Sequence, residues 1–279
     1  MVAICTPNGL HVPMAIEAAK SGKDVLLEKP LGINLKEVDK LLKFFEKKKK
    51  KLFAVLQVRF NPPLKAVKEL IEKNKLGKIY NAAVVVRWQR PQEYFDKDEW
   101  RGTKKLDGGT LLNQGIHYVD ILQWFLGPVK SVFAKKDRVA HKIEIEDLVT
   151  ALLKFKNGTL ATLEFTICTY PKNLECSISI LGAKGTVKIG GPAANEVEVW
   201  EVANLTKPNL PPSLKPNIYA SGLYQGSCPN HIFIYENIIK HYQKDKSAIL
   251  IDGKEAKKSL EIVEAIYRSA EKNKEIFFR

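Results

Sequence analysis

Hydrophobic and polar positions follow two different periods along this chain. In the first part, short apolar runs at 2–5, 25–27 and 52–58 are separated by stretches at about 12–21 and 35–48 whose apolar residues recur at helical spacing. A turn is expected at Thr6-Pro7-Asn8-Gly9, and a further helix after Pro62-Pro63. Short apolar strands alternating with helices imply a parallel sheet covered on both faces, the doubly wound arrangement. Beyond Gly77 the period drops to two, with alternating or β-branched segments at 79–88, 147–155, 159–168, 174–181 and 197–202. Asn157-Gly158 is expected to join two of them as a hairpin turn, since both residues tolerate positive φ. Helices are expected at 110–126, 231–243 and 254–272, the last with Leu260, Val263, Ile266, Tyr267 and Ala270 on one apolar stripe. The segment 206–216, with four prolines, reads as an extended loop. The expected fold is α/β plus α+β. An incomplete doubly wound domain over 1–76 precedes, over 77–279, a domain with an open, mostly antiparallel sheet and helices.

Composition narrows the classes without choosing among them. With 279 residues and 45% hydrophobic content the chain can bury a sizeable core. Its longest apolar candidate, 111–126, is interrupted by Asn113, Gln114, His117 and Asp120, so no membrane span is supported. Met-Val-Ala-Ile-Cys lacks the features of a secretory signal, and a cytoplasmic location is expected. Cys5, Cys168, Cys176 and Cys228 show neither CxxC spacing nor a histidine pair, which argues for buried free thiols, no disulfide framework and no metal site. The net charge of +14 comes from dispersed lysines, dense only at 47–51, with no nucleic-acid-binding motif beside them. No nucleic-acid partner is expected. A lysine-rich surface is, and its positive field favours an anionic substrate.

Two motifs bear chemistry. Glu28-Lys29-Pro30 directly follows the second parallel strand, and Thr6-Pro7-Asn8 with His11 occupies the equivalent end of the first. Ligands of open parallel sheets bind outside the carboxyl ends of the strands, so these groups are aimed at a crevice. A surface lysine before a helix-entry proline reads the same three residues equally well. The second motif runs from Leu106-Asp107-Gly108-Gly109 to Asn113-Gln114-Gly115-Ile116-His117. Its paired glycines let backbone approach a ligand closely. On an α-helix Asn113, His117, Asp120 and Trp124 share one face, which suits a histidine held in one orientation; a lone histidine in an apolar helix is otherwise a satisfied core residue. Arg59, ending the third β-rich run, offers a planar fork to a carboxylate or phosphate, or else forms a surface ion pair.

The strings Ile4-Cys5-Thr6-Pro7-Asn8 with His11, the run 22–31 around Glu28-Lys29-Pro30, and Gly108-Gly109 leading to Gly115-Ile116-His117 and Asp120 resemble the Gfo/Idh/MocA oxidoreductases. The likeness keeps the motif order over essentially the whole chain. Trp100-Arg101-Gly102-Thr103, Leu122-Gln123-Trp124 and the stretch 252–267 are most similar to the UDP-N-acetylglucosaminuronate 3-dehydrogenase group. The resemblance implies a dinucleotide-binding (Rossmann) domain ahead of an open-sheet domain, NAD as cofactor with NADP also open, and a cis Lys29-Pro30 peptide. It makes Lys29 and His117 the catalytic pair, His117 as general base on the reacting hydroxyl and Lys29 as stabiliser of the developing alkoxide. Thr6, Pro7, Asn8, His11, Glu28, Lys29, Trp100 and Arg101 fall to the cofactor; Arg59, Asn113 and Gln114 fall to the substrate. Many members have aspartate where this chain has Asn113, and an amide cannot act as an anionic base, so the proton falls to His117.

The implied reaction moves a hydride from a secondary alcohol of a sugar, C3 of a UDP-N-acetylhexosaminuronate, to nicotinamide. No strand, GxGxxG turn and helix precede the first motif, and an N-terminal truncation of two βα units, about seventy residues, is expected. Gly182-x-x-Gly185 and Gly190-Gly191 do not replace that turn, since they lie among antiparallel strands. An inositol or free-sugar dehydrogenase therefore stays open, as does a non-catalytic binding or oligomer-forming subunit. The second sheet is also too broad for its helices to cover. Face-to-face packing into a homodimer or homotetramer is expected, through a face carrying residues such as Val149, Ala151, Leu153, Ala161, Leu163 or Phe165.

Overall fold

A computed structural model of the protein describes residues 1–219 and 224–278. Three short strands, β1 (Val2–Ile4), β2 (Val25–Leu27) and β3 (Leu52–Ala54), pair in parallel in sequence order. The crossovers are α1 (His11–Lys20) and α2 (Leu35–Lys48). Every residue of β2 is buried, as a strand covered on both faces requires. Asn34 caps α2 by accepting from the amides of Lys36 and Glu37, and Glu37 near its start and Lys47 and Lys48 near its end suit the helix dipole. The run at 52–58 is shorter as a strand than its apolar character suggests. After Ala54 the chain enters a 3-10 turn (Gln57–Phe60) and then α3 (Pro62–Glu72), which opens on proline, where the missing N–H costs no helical bond. Val55, Leu56 and Val58 are apolar because they are buried, not because they are extended.

The second sheet has eight strands, in the order β10-β9-β8-β4-β7-β6-β5-β13. They are β4 (Ile79–Arg87), β5 (Val129–Asp137), β6 (Leu148–Phe155), β7 (Leu160–Thr166), β8 (Glu175–Gly182), β9 (Gly185–Gly190), β10 (Glu196–Val202) and, near the carboxyl end, β13 (Ile276–Phe277). Only the β4/β7 pair is parallel, so the sheet is mixed and mostly antiparallel. β5, β9 and β13 were not expected from the pattern: β5 mixes lysines into its alternation, and the other two are short. In the β6/β7 hairpin only Gly158 takes positive φ (93°); Asn157 instead accepts from Thr159 N and donates to Leu126 O through its side chain. A short helix α4 (Gln92–Asp96) follows β4, and the two-stranded pair β11 (Ile218–Tyr219) and β12 (Tyr224–Gln225) follows the extended stretch after β10.

The helix expected at 110–126 is two pieces, a π-helical turn (Leu111–Gly115) and then α5 (Ile116–Leu126). α5 and α7 (Gly253–Lys272) pack on one face of the large sheet, where Val149, Ala151, Leu153, Ala161, Leu163 and Phe165 are all buried. The other face carries Leu152 (57% exposed), Leu160 (52%) and Phe133 among threonines and charged residues. The carboxyl-terminal part also returns to the parallel sheet. Ile234 and Ile238 of α6 (His231–Tyr242) are buried, His241 and Tyr242 meet Phe53 edge-on, and Ala54 N donates to Ile251 O (2.8 Å). Residues 231–251 thus pack on the first sheet although they lie in the second stretch of sequence.

Candidate active site

The carboxyl ends of β1 and β2, the start of α5 and the segment around β12 enclose a cavity of about 340 Å³. Thr6, Asn8, Glu28, Lys29, Trp100, Arg101, Asn113, Gln114 and His117 line it. The same cavity is walled by residues the sequence did not single out, among them Gln57, Trp88, Arg90, Tyr94, Ser227 and His231. A larger hollow of about 860 Å³ lies between α3, Trp200 and α6, but holds none of the expected chemistry-bearing residues.

Lys29 enters from the end of β2 across a cis peptide to Pro30. Its Nζ donates to Asn113 O (2.7 Å) and Asn113 Oδ1 (3.1 Å). Burial lowers the Lys29 ammonium below its ordinary range, opposed by the charges of Glu28 and Asp107. His117 stands in the first turn of α5 with its Nδ1 buried and unpartnered. Burial, and then the positive charge of Lys29, hold it well below the usual imidazole range, so the ring is neutral at neutral pH. His231 Nε2 lies 3.2 Å from Glu28 Oε1. Burial pushes Glu28 up, but that hydrogen bond and the Lys29 charge prevail, leaving it below its usual value.

Of ten buried side-chain polar atoms without a partner among the described residues, five belong to residues that line this one cavity: Thr6 Oγ1, Gln57 Oε1, Trp88 Nε1, Gln114 Oε1 and His117 Nδ1. Buried polar atoms in folded proteins are nearly always bonded, so such a cluster marks where a polar ligand completes the site. Cations dominate the lining. Arg90 stacks 4.9 Å from the Trp88 ring and 4.9 Å from that of Tyr224, and Arg101 lies 4.3 Å over Tyr94, its guanidinium paired with Asp98 (2.5 Å).

Five expectations about individual residues change. Pro7 does not line the cavity; it leads into the short 3-10 turn after β1. His11 is fully buried outside it, its ring nitrogens 2.6 Å from Pro30 O and 2.9 Å from Thr6 O, so it ties two strand ends together rather than facing a cofactor. Arg59 is also outside. Asp120 holds it bidentately through Nε and Nη2 (2.6 Å twice) and Glu255 accepts a further bond from Nη2 (3.0 Å), so that edge of its fork is committed to protein carboxylates rather than to this cavity. Asp120 is thereby taken from His117, which it was expected to orient, because a buried carboxylate is best compensated by a matching guanidinium. Asn113 lines the cavity, but its amide is spent on Lys29 and on Asp107, whose Oδ1 accepts from Nδ2 (2.8 Å). Gln114 and Gln57, each with an unpartnered Oε1, are the lining amides left to meet a ligand.

Asp107 and His231 are the residues with the most to do that the sequence did not flag. Asp107 was hidden beside glycines read for their backbone, and His231 opens a helix some two hundred residues from its partner Glu28. Of the four thiols, all free, Cys5 is exposed rather than buried because it sits past the end of an edge strand. His141, Asp147 and Cys168 gather within 4.8 Å, yet both ring nitrogens of His141 and both oxygens of Asp147 have protein partners, so this group reads as a loop anchor. No helix among the described residues is long and apolar enough to cross a membrane.

Residues 1–56 match the family described as "Oxidoreductase family, NAD-binding Rossmann fold", and residues 64–188 match the "GFO/IDH/MocA C-terminal domain". Among solved structures, the WlbA dehydrogenase of Bordetella pertussis, in complex with NADH and UDP-GlcNAcA, is 38% identical with a TM-score of 0.87, over 99% of this chain and 78% of that one. The WlbA dehydrogenase of Chromobacterium violaceum, with the same ligands, is 39% identical with a TM-score of 0.87, over 100% and 77%. The myo-inositol 2-dehydrogenase of Thermotoga maritima is 28% identical over 196 residues, 67% of this chain and 55% of that protein. The chain thus spans little more than half the length of the curated relatives it matches.

Proposed function

The chain belongs to the Gfo/Idh/MocA oxidoreductase family, and from that premise we propose a nicotinamide-dependent dehydrogenase that oxidises a secondary alcohol of an anionic nucleotide sugar. The likeness to WlbA points to C3 of a UDP-N-acetylhexosaminuronate. One observation carries the reading: Lys29 and five residues with an unpartnered buried polar atom, His117 among them, line a single cavity. That set of donors and acceptors suits a polyhydroxylated ligand. Lys29, Arg90 and Arg101 outweigh Glu28 in the lining, which favours a uronate or diphosphate over a neutral inositol.

Bound NAD would supply the hydride acceptor. Thr6, Asn8, Glu28, Lys29, Trp100 and Arg101 are the residues that would hold it, and the buried, unpartnered Thr6 hydroxyl at the tip of β1 fits a nucleotide's polar edge. The protein's own work is proton and charge handling. His117, neutral, accepts the hydroxyl proton of the sugar. Lys29, restrained by Asn113, presents its remaining N–H to the oxygen as negative charge grows there. Gln114 orients the neighbouring hydroxyls. The expected sheet-to-sheet homodimer belongs to the same reading, supported by the open face with Leu152 and Leu160.

The test uses the protein as its gene encodes it. UDP-GlcNAcA and myo-inositol are each titrated calorimetrically and offered with NAD while NADH formation is followed by absorbance. UDP-GlcNAcA should bind and turn over, and myo-inositol should do neither. Turnover of the inositol with no response to the nucleotide sugar would move the substrate assignment, and binding without turnover of either would remove the enzyme reading.

A further inference from the structure

We propose that Asp107 is the positioning residue of the Lys29 centre. Its carboxylate decides which way round the Asn113 amide lies, and it supplies, one side chain removed, the negative charge that the Lys29 ammonium needs.

The geometry is a chain of three links. Lys29 Nζ donates to Asn113 Oδ1 (3.1 Å), Asn113 Nδ2 donates to Asp107 Oδ1 (2.8 Å), and Asp107 Oδ2 accepts from Gly102 N (2.8 Å). An ionised carboxylate only accepts, so the amide beside it turns its NH2 that way. That leaves Oδ1, the one amide atom able to accept from an ammonium, facing Lys29. Reversed, the amide would set donor against donor at Lys29 and acceptor against acceptor at Asp107, losing two charge-assisted bonds. With the backbone oxygen of Asn113 as second acceptor at 2.7 Å, two of the three Lys29 N–H bonds are fixed and the third is left for the cavity.

The position of the charge explains the residue at 113. A carboxylate there would lie within hydrogen-bond distance of Asp107, and two carboxylates that close cannot both ionise. An amide at 113 and a carboxylate at 107 are therefore one feature, the negative charge being moved one side chain away from the lysine. Asp107 also accepts from Asn8 Nδ2 at its backbone oxygen (2.8 Å), which ties the same link to the end of β1. Burial pushes the Asp107 carboxyl up to about 6, against the pull of Gly102, Asn113, Lys29 and Arg101. The other charged or titratable groups around Lys29 are Glu28 beside it, Arg101, His11 on α1, His117 on α5 and, through Glu28 and His117, His231 on α6; Tyr267 of α7 lies within the field of Asp107.

Two variants separate this role from simple loop bracing, Asp107→Asn and the charge-relocating pair Asp107→Asn with Asn113→Asp. The first readout needs no turnover: the Lys29 titration is followed by NMR of 13C-labelled lysine in the protein as its gene encodes it. Asp107→Asn should lower the Lys29 midpoint by about 1–3 pH units, the usual effect of removing a nearby opposite charge, and the pair should restore it. The second readout rests on the dehydrogenase reading. There kcat should fall about 10- to 100-fold in Asp107→Asn with KM little changed, as for other residues that orient a reacting group, and should recover in the pair. An unmoved Lys29 midpoint in Asp107→Asn overturns the proposal, as does a pair no better than its parts. Absence of turnover in the unaltered protein counts against the dehydrogenase alone, since the lysine titration still decides the role of Asp107.

Discussion

Lys29, half-buried, and Arg59, buried, are both cations set against the segment 111–126, and their surroundings differ in kind. Arg59 is held by both oxygens of Asp120 through Nε and Nη2, with Glu255 beside it and the Trp124 ring 5.2 Å beneath it, while Ser259 donates to Asp120 (2.8 Å). Around Lys29, carboxylates act at one remove, and five neighbouring polar atoms have no partner. A polar cluster that completes itself holds structure together; one that leaves orphaned atoms around a cavity is completed by a ligand. Arg59 looked like a substrate anchor in the sequence because a guanidinium fork serves either purpose.

The comparison can be broken at either end. Replacing His117 with Asn should lower kcat by about 10²- to 10⁴-fold, the usual contribution of a positioned base, with little loss of folding stability. An unchanged rate removes His117 from the chemistry. At the other cluster, Asp120→Ala removes the bidentate partner of a buried guanidinium, leaves it only Glu255, and should cost about 3 kcal/mol in a urea unfolding titration, while the folded fraction keeps its turnover. Stability held to within about 1 kcal/mol would mean that the Arg59 cluster is not the brace described here.

The two faces of the large sheet extend the same contrast between satisfied and unsatisfied surface. An arginine in place of Thr162, which lies opposite Leu152 on the open face, should dissociate a dimer to a mass near 31.5 kDa by light scattering and leave the Lys29 cavity formed. Unaltered mass would clear that face of an interface role. The smallest effect concerns pH. His117 must be neutral to accept a proton, so kcat should fall as pH drops through its lowered value, below the usual imidazole range. Because the Lys29 charge is part of that lowering, Lys29→Met should raise the His117 midpoint observed by NMR; a fall would reverse the electrostatic reading.

The alternation of apolar runs with helical stretches, the change of period after Gly77 and the motifs at Glu28-Lys29-Pro30 and Gly108-Gly109 marked the two kinds of sheet and the segments that bring Lys29 and His117 to one cavity. These are local properties, since strand and helix periods and strand-end positions are written within a few residues of one another. The partners of each polar side chain were not legible. Asn113 meets Lys29 across 84 positions and Arg59 meets Asp120 across 61. The π turn at Leu111–Gly115, which breaks the even helical spacing assumed for Asn113 and His117, has no signature in the hydrophobic pattern. Sequence determined which residues could carry charge and chemistry. Only the tertiary structure decided which of them spent it on each other, because hydrogen bonds and ion pairs depend on distances of a few ångströms that hydrophobic spacing along the chain does not encode.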